Sequence, residues 1–171
     1  HVALGAGDRA WLTLGGQLRW RGEDVSHYLS TVGGDRTDDH GLARVLLSAD
    51  LWVTSHARLF VEGRDAYGYG RELPGKRRTS DHDRWDLQNL FGELRAGGPK
   101  AGAYVRAGRQ EYMIGRERIV GVADWANVRR GIDAARAGVS VRGVALDAIA
   151  GRPVQVRMGD ANHGDANTTF R

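Results

Sequence analysis

Cysteine is absent from the 171-residue chain, which removes disulfide frameworks, thiolate metal sites and cysteine nucleophiles together. Proline is scarce as well, three residues against twenty-five glycines, and aromatic residues are modest. Lysine is reduced to Lys76 and Lys100, so the net charge of +4 is almost wholly arginine. No run approaches the ~18 apolar residues that a membrane helix needs. No basic-then-apolar leader precedes His1; either a leader has been removed or the chain starts inside a larger protein. Hydropathy alone would read this chain as soluble. Barrel strands give a far weaker signal than helices, so that absence does not decide the matter.

What is present is alternation. After a Gly- and Ala-rich lead-in, in which Gly5 and Gly7 lack the preceding strand and following Lys of a phosphate loop, Leu12, Leu14, Gly16, Leu18 and Trp20 share one face. Thr13, Gln17, Arg19, Arg21 and Glu23 share the other, because side chains alternate across the pleat. The polar stretch Leu29 to His40 comes next. A second strand sets Ala43, Val45, Leu47, Ala49, Leu51 and Val53 against Arg44, Leu46, Ser48, Asp50, Trp52 and Thr54. Only Ser55 and His56 separate it from a third, a tight-hairpin spacing, in which Ala57, Leu59, Val61, Gly63 and Tyr67 oppose Arg58, Phe60, Glu62 and Arg64. A long loop covers about 70 to 85. Strand four sets Leu90, Gly92 and Leu94 against Asn89, Phe91, Glu93 and Arg95, and a turn at Pro99 closes it. Strand five runs from about Ala103 to Met113, and a loop rich in Gly and Arg spans about Ile114 to Arg130. Strand six sets Ala135, Ala137, Val139 and Val141 against Arg136, Ser140 and Arg142. Strand seven, after Gly143, ends near Ala150, and the tail from Arg152 reads as polar loop.

Two regularities separate a membrane barrel from a soluble sheet. Connections alternate short and long, as in up-and-down outer-membrane barrels. The strands also exceed the ~5–6 residues usual in soluble sheets and reach the ~9–11 that a tilted membrane strand requires. The apolar face carries no ionised residue over most of strands one, two, four and six, where an Arg at mid-depth would cost ~2–4 kcal/mol. Trp20, Tyr67, Tyr69 and Tyr112 fall toward strand ends, where interfacial girdles sit. Strand five breaks the phase, because Arg106 lies on the even positions while Arg109 and Glu111 lie on the odd. A bulge at Gly108 would turn both arginines inward. The expected fold class is therefore all-β, an antiparallel up-and-down transmembrane β-barrel, with residues 1–171 forming one partial barrel domain without an internal boundary.

The segments GRQEYMIGRERIV and WANVRRGIDAARAG, with LRWRGED, DLQNLFGELR and AIAGRPVQV in order, resemble the alginate-export family of bacterial outer-membrane barrels. The resemblance covers most of the chain, and residues 108–138 are its specific part. It implies a single-chain barrel of about eighteen strands whose Arg-lined pore passes polyuronate, localised to the bacterial outer membrane, with the seven strands here forming its amino-terminal part. Seven strands cannot close an even-numbered barrel, so a leader and about eleven further strands are expected. Phe170 sits where a closing strand would carry an aromatic residue, although the residues before it do not alternate. Ile132 departs from the family by standing where an aromatic residue is expected.

On this reading Arg19, Arg21, Arg44, Arg58, Arg64, Arg95, Arg109, Arg136 and Arg142 project into the lumen, where basic rings favour anions. Arg129, Arg130 and Asp133 join Arg136 on one side of the 108–138 stretch, and Arg109 with Glu111 stands on the other. Glu23, Asp50, Glu62, Glu93, Glu111 and Asp147 share the arginine face, so neutral Arg–carboxylate ladders worth ~0.2–1 kcal/mol per pair are an equally physical reading. The loop bearing Arg116, Arg118, Arg129 and Arg130 reads either as a constriction folded inward or as an external loop. Asp38-Asp39-His40 and Asp81-His82-Asp83 lack metal-ligand spacing. No nucleophile, base and orienter fall together, so no enzyme activity, metal or cofactor is expected. Lumen carboxylates paired with Arg would also be poor general acids for glycoside cleavage.

The expected function is a porin passing anionic polysaccharide, an alginate-like polyuronate, or other organic anions. The partners are outer-membrane lipid, the substrate and periplasmic export proteins, with no nucleic acid. Two alternatives stand beside it: a soluble antiparallel β protein that binds an acidic carbohydrate, and a plugged barrel that serves as scaffold. A passive pore has no direction of its own, so export and uptake are not distinguished.

Overall fold

A computed structural model describes residues 2–4, 10–26, 37–72, 77–98 and 100–171. Gly5, Gly7 and Pro99, read above as lead-in and turn, lie outside the described residues. The strands are β1 (Val2–Ala3), β2 (Trp11–Val25), β3 (Asp38–Thr54), β4 (Ala57–Tyr69), β5 (Asp83–Gly98), β6 (Ala101–Gln110), β7 (Ile132–Val141), β8 (Val144–Gln155) and β9 (His163–Gly164). All nine form one antiparallel sheet in chain order, open between β1 and β9. The expected up-and-down sheet is present, and β2–β8 are its seven long strands. The two-residue β1 and β9 are additions that alternation cannot register, since the pattern needs at least about four residues to emerge.

Strand lengths run from 10 residues in β6 and β7 to 17 in β3, enough to cross a membrane at a tilt. Hairpin chemistry closes one end of the sheet. Between β3 and β4, Thr54 Oγ1 accepts from the backbone N–H groups of His56 and Ala57, each at 3.1 Å. Between β7 and β8, Arg142 and Gly143 both take positive φ, 49° and 87°, the conformation of a two-residue turn matched to strand twist. The long connections all emerge at the opposite end.

The sheet is inverted relative to a soluble protein. Leu14, Leu18, Trp20, Leu47, Leu94, Val105, Val139 and Leu146 are exposed, while Arg44, Arg64, Asp83, Gln88, Glu93 and Gln110 are buried. Leu18 is 79% exposed; Arg44, one pleat away on the neighbouring strand, is 1% exposed. The outward positions of β3 from Ala43 to Val53 carry no charge. Ten residues at ~3.3 Å each give about 33 Å along the strand, or about 25 Å along the normal at a ~40° tilt, which is the height of an outer-membrane apolar band.

Aromatic residues gather where that band ends on the long-loop side. Trp20 Nε1 donates to Tyr69 Oη at 2.6 Å, and the rings of Tyr67 and Tyr69 lie 6.3 Å apart. Gly41 makes room for Tyr69: a Cβ there would come within 2.1 Å of the ring. Tyr112 departs from the expected girdle. It lies past the end of β6, edge-on to Phe170 at 6.3 Å and with its ring 4.8 Å from the Arg136 guanidinium.

Several boundaries differ from those read in the sequence. β5 starts at Asp83, just inside the stretch of about 70 to 85 read as loop. β6 stops at Gln110 rather than Met113, because the Glu111 N–H leaves the ladder and donates to Asn89 Oδ1 at 2.9 Å. β7 begins at Ile132, so Asp133 is a strand residue whereas Arg129 and Arg130 are in the preceding loop. The segment from Arg152, expected as loop, continues β8 to Gln155; Gly151 then bridges to Phe170 in both directions, at 2.9 and 2.8 Å. Pro153 is accommodated opposite Ile132.

The expected bulge at Gly108 does not form. β6 pairs without interruption through Gly108 on both sides. The glycine instead takes φ +124°, in which a Cβ would approach the Leu90 carbonyl oxygen to 2.2 Å. Register shifts occur instead between Trp52 and Thr54 where β3 meets β4, and between Glu62 and Gly63 and between Arg64 and Ala66 where β4 meets β5. There one strand carries extra residues, and Gln88 and Asn89, adjacent in sequence, are both buried.

Candidate functional site

The inner face gathers most of the arginines singled out from the sequence, and carboxylates of the same face hold many of them. Arg58 grips Asp50 through Nε at 2.7 Å and Nη2 at 3.0 Å, with its guanidinium over Trp52, Phe60 and Phe91. Arg95 and Arg106 converge on the buried Glu93. Arg106 was the arginine whose phase the sequence left open, and this carboxylate takes it inward. Arg136 pairs with Asp147 at 3.1 Å, and Arg109 with Asp133 at 2.8 and 3.1 Å. Arg64, buried, is held by Asp83 and Gln88. Charge-assisted bidentate pairs of this kind fix geometry as much as they add energy.

The connection from Glu111 to Gly131 folds onto this face. Asn127 is fully buried, and its Nδ2 donates to the carbonyls of Ala43 at 2.9 Å and Asp81 at 3.0 Å. The Val128 N–H donates to the Ser80 carbonyl at 2.8 Å. Ala126 and Val128 are buried beside it. The loop is thereby stitched to the strand ends and to the preceding long connection. Of the two readings open at the sequence level, the one folded inward describes the half from Ala123 to Arg129.

Arg129 enters from that loop and joins Glu62 at 3.1 Å and Glu111 at 2.9 Å. Burial pushes the Glu111 carboxyl up from its ordinary range, with the nearby Glu62 charge adding to the rise and Arg129 opposing it. Asp124 goes the other way. Burial opposes its ionisation, but the hydrogen bond and charge of Arg44, aided by Arg129 and Arg19, take it below the ordinary carboxylate value.

Three arginines differ from the rest. Arg19 donates Nη1 to the Asp124 carbonyl and Nη2 to the Ala126 carbonyl, both at 2.7 Å. Arg21 donates Nη1 to the Trp125 carbonyl at 2.7 Å and reaches Glu23 at 2.6 Å. Arg44 donates to Asp124 Oδ1 at 3.0 Å, to Gln17 Oε1 at 2.9 Å and to the Ala126 carbonyl at 3.3 Å. Main-chain carbonyls carry no net charge, so Arg19 is held by neutral acceptors among the described residues, whereas Arg21 also has Glu23 and Arg44 has Asp124.

The remaining predicted residues fall at the margins. Arg142 sits in the β7–β8 turn, exposed, and not on a strand. Arg130 is exposed in the loop and, with Tyr112, Ile119 and Phe170, lines a cavity of about 380 Å³. The two histidine clusters take part in ionic contacts. His40 lies between Glu23 at 3.2 Å and Asp38 at 3.3 Å, and Asp81 meets Arg78 at 2.9 Å. Sequence reasoning missed Asp124, Asn127, Gln88 and Asn162, the last of which donates Nδ2 to Asp83 Oδ2 at 2.6 Å and accepts from Arg109 at its carbonyl at 2.8 Å. All are polar residues whose role comes from where a loop or a register shift delivers them, and no periodicity announces that.

Comparison with known proteins gives one description of the chain: the family model for alginate export matches residues 10–171. No curated protein and no solved structure matches it.

Proposed function

The chain belongs to the alginate-export family, a transport rather than an enzymatic family, and from that premise we propose that it forms part of the wall of an outer-membrane pore for anionic polysaccharide. One observation carries the reading. Apolar side chains stand exposed on every long strand, while Arg44, Arg64, Asp83 and Glu93 are buried on the opposite face of β3, β4 and β5, the distribution that lipid outside and water inside impose. A soluble carbohydrate-binding sheet would leave leucines such as Leu14, Leu18 and Leu146 in water for no return.

The mechanism is charge-guided diffusion. A carboxylated polymer exchanges its counterions for guanidinium groups along the wall, each contact weak enough to be released to the next. Because Asp50, Glu93, Asp133 and Asp147 already neutralise their arginines, attraction concentrates on the Arg19, Arg21 and Arg44 group, in which Arg19 is held by main-chain carbonyls. The remaining pairs line the path with alternating charge, which passes an anion without trapping it. The test is the reversal potential of the complete protein in planar bilayers under a KCl gradient. Anion selectivity is expected, with block of the current by sodium alginate from one side; cation selectivity refutes the proposal.

A further inference from the structure

We propose that the segment Asp124–Trp125–Ala126 is an internal competitor for the substrate: it occupies the carboxylate site formed by Arg19, Arg21 and Arg44, and a uronate unit of the polymer must displace it. The inference rests on the pore reading and deepens it.

The contacts have the form of a ligand in a site. One carboxylate, that of Asp124, meets the buried Arg44 at 3.0 Å, and three successive main-chain oxygens, of Asp124, Trp125 and Ala126, accept from Arg19 and Arg21 at 2.7 Å each. A uronate offers the same set, one carboxylate with ring and hydroxyl oxygens around it. The segment differs in exposure along its length. Ala126 and Asn127 are buried against the wall, whereas Asp124 and Trp125 are exposed.

The occupant also leaves the site incompletely satisfied. The Nε atoms of Arg19, Arg21 and Arg44 are buried and meet no acceptor among the described residues. Each is a buried donor that a ligand richer in oxygen would satisfy, and unsatisfied buried donors favour exchange toward such a ligand. Asp124 and, on Arg21, Glu23 supply two negative charges to three cations, so a polyanion brings more charge than the loop does. Exchange therefore depends on polymer charge. A neutral glycan of equal size has no carboxylate with which to replace Asp124.

Two measurements on the complete protein test this. Asp124→Asn is expected to raise single-channel conductance at least about threefold while the pore remains anion-selective, because the segment loses the carboxylate that holds Arg44. Ala126→Cys, in a chain without cysteine of its own, is expected to resist maleimide until sodium alginate is added, then to label about tenfold faster, with neutral dextran giving no change. Should Asp124→Asn fail to fold, the labelling result alone decides. Anion selectivity with neither effect overturns the internal competitor and leaves the pore standing. Cation selectivity or no conductance in the parent protein overturns both.

Discussion

Replacing Leu47 by Arg tests the orientation of the whole sheet at one position. Leu47 is 62% exposed on the outward face of β3, four residues from Ala43 and six from Val53. Four residues at ~3.3 Å and a ~40° tilt place it about 10 Å below the Ala43 level, within about 3 Å of the middle of a ~25 Å apolar band. An arginine at that depth costs about 2–4 kcal/mol in outer-membrane barrels, which lowers the folded-to-unfolded ratio about 30- to 900-fold at 1.36 kcal/mol per decade. Ser48, the next residue, faces inward opposite Glu62. Ser48→Arg is therefore expected to stay within about 1 kcal/mol of the parent, with an opposite-charge cross-strand pair returning ~0.2–1 kcal/mol. The assay is denaturant unfolding of the complete protein in phosphatidylcholine vesicles, followed by tryptophan fluorescence. Equal costs at 47 and 48, or a larger cost at 48, would refute the assignment of faces.

Other substitutions probe the inner wall and the backbone. Glu93→Gln leaves Arg106 and Arg95 around a buried neutral amide and is expected to cost about 3 kcal/mol, toward the lower end for a broken buried pair because Arg95 is half in solvent; the same unfolding assay reads it. Gly108→Ala forces a side chain into φ +124° against the Leu90 carbonyl and is expected to cost about 1–3 kcal/mol; a loss below half of that would mean the backbone relaxes freely there. Acid should act on the loop in two opposed steps. Glu111 is raised in the fold, so its ionised form carries a penalty that is complete above the raised value and gone below its ordinary 4.5. Asp124 is lowered, so its contribution is complete above its ordinary 3.8 and lost as pH falls through the lowered value. Maleimide labelling of Ala126→Cys should therefore slow slightly toward pH 4.5 and accelerate below 3.8, read by quenching at each pH and normalising to a free thiol; monotonic acceleration from neutral pH would contradict the assigned directions.

Much of the fold is legible in the sequence because a pleated strand between lipid and water must alternate. Leu47 outside and Leu46 inside come from parity alone, as do Arg19, Arg44, Arg58 and Arg136 on the inner wall. Legibility ends where parity is interrupted. Nothing in the DLQNL stretch (residues 86–90) marks the register shift that buries both Gln88 and Asn89, because it arises from the geometry between β4 and β5. Gly108 was the visible candidate for a shift, yet it takes a positive φ without changing register. The Ala123–Arg129 segment reads as an ordinary polar loop. Its inward course is set by Asn127 amide contacts to three distant carbonyls, and one asparagine among many carries no pattern.

Every strand of this sheet has its immediate predecessor for a partner, with no crossover anywhere from β1 to β9. Assembly can consequently proceed by accretion, each arriving segment zipping onto a template laid down moments before, with only short chain closures to complete. A fault in one hairpin then harms later strands far more than earlier ones. Variants in β2 or β3 should stall assembly almost at its outset, while comparable lesions in β8 would leave β1 to β7 already in place.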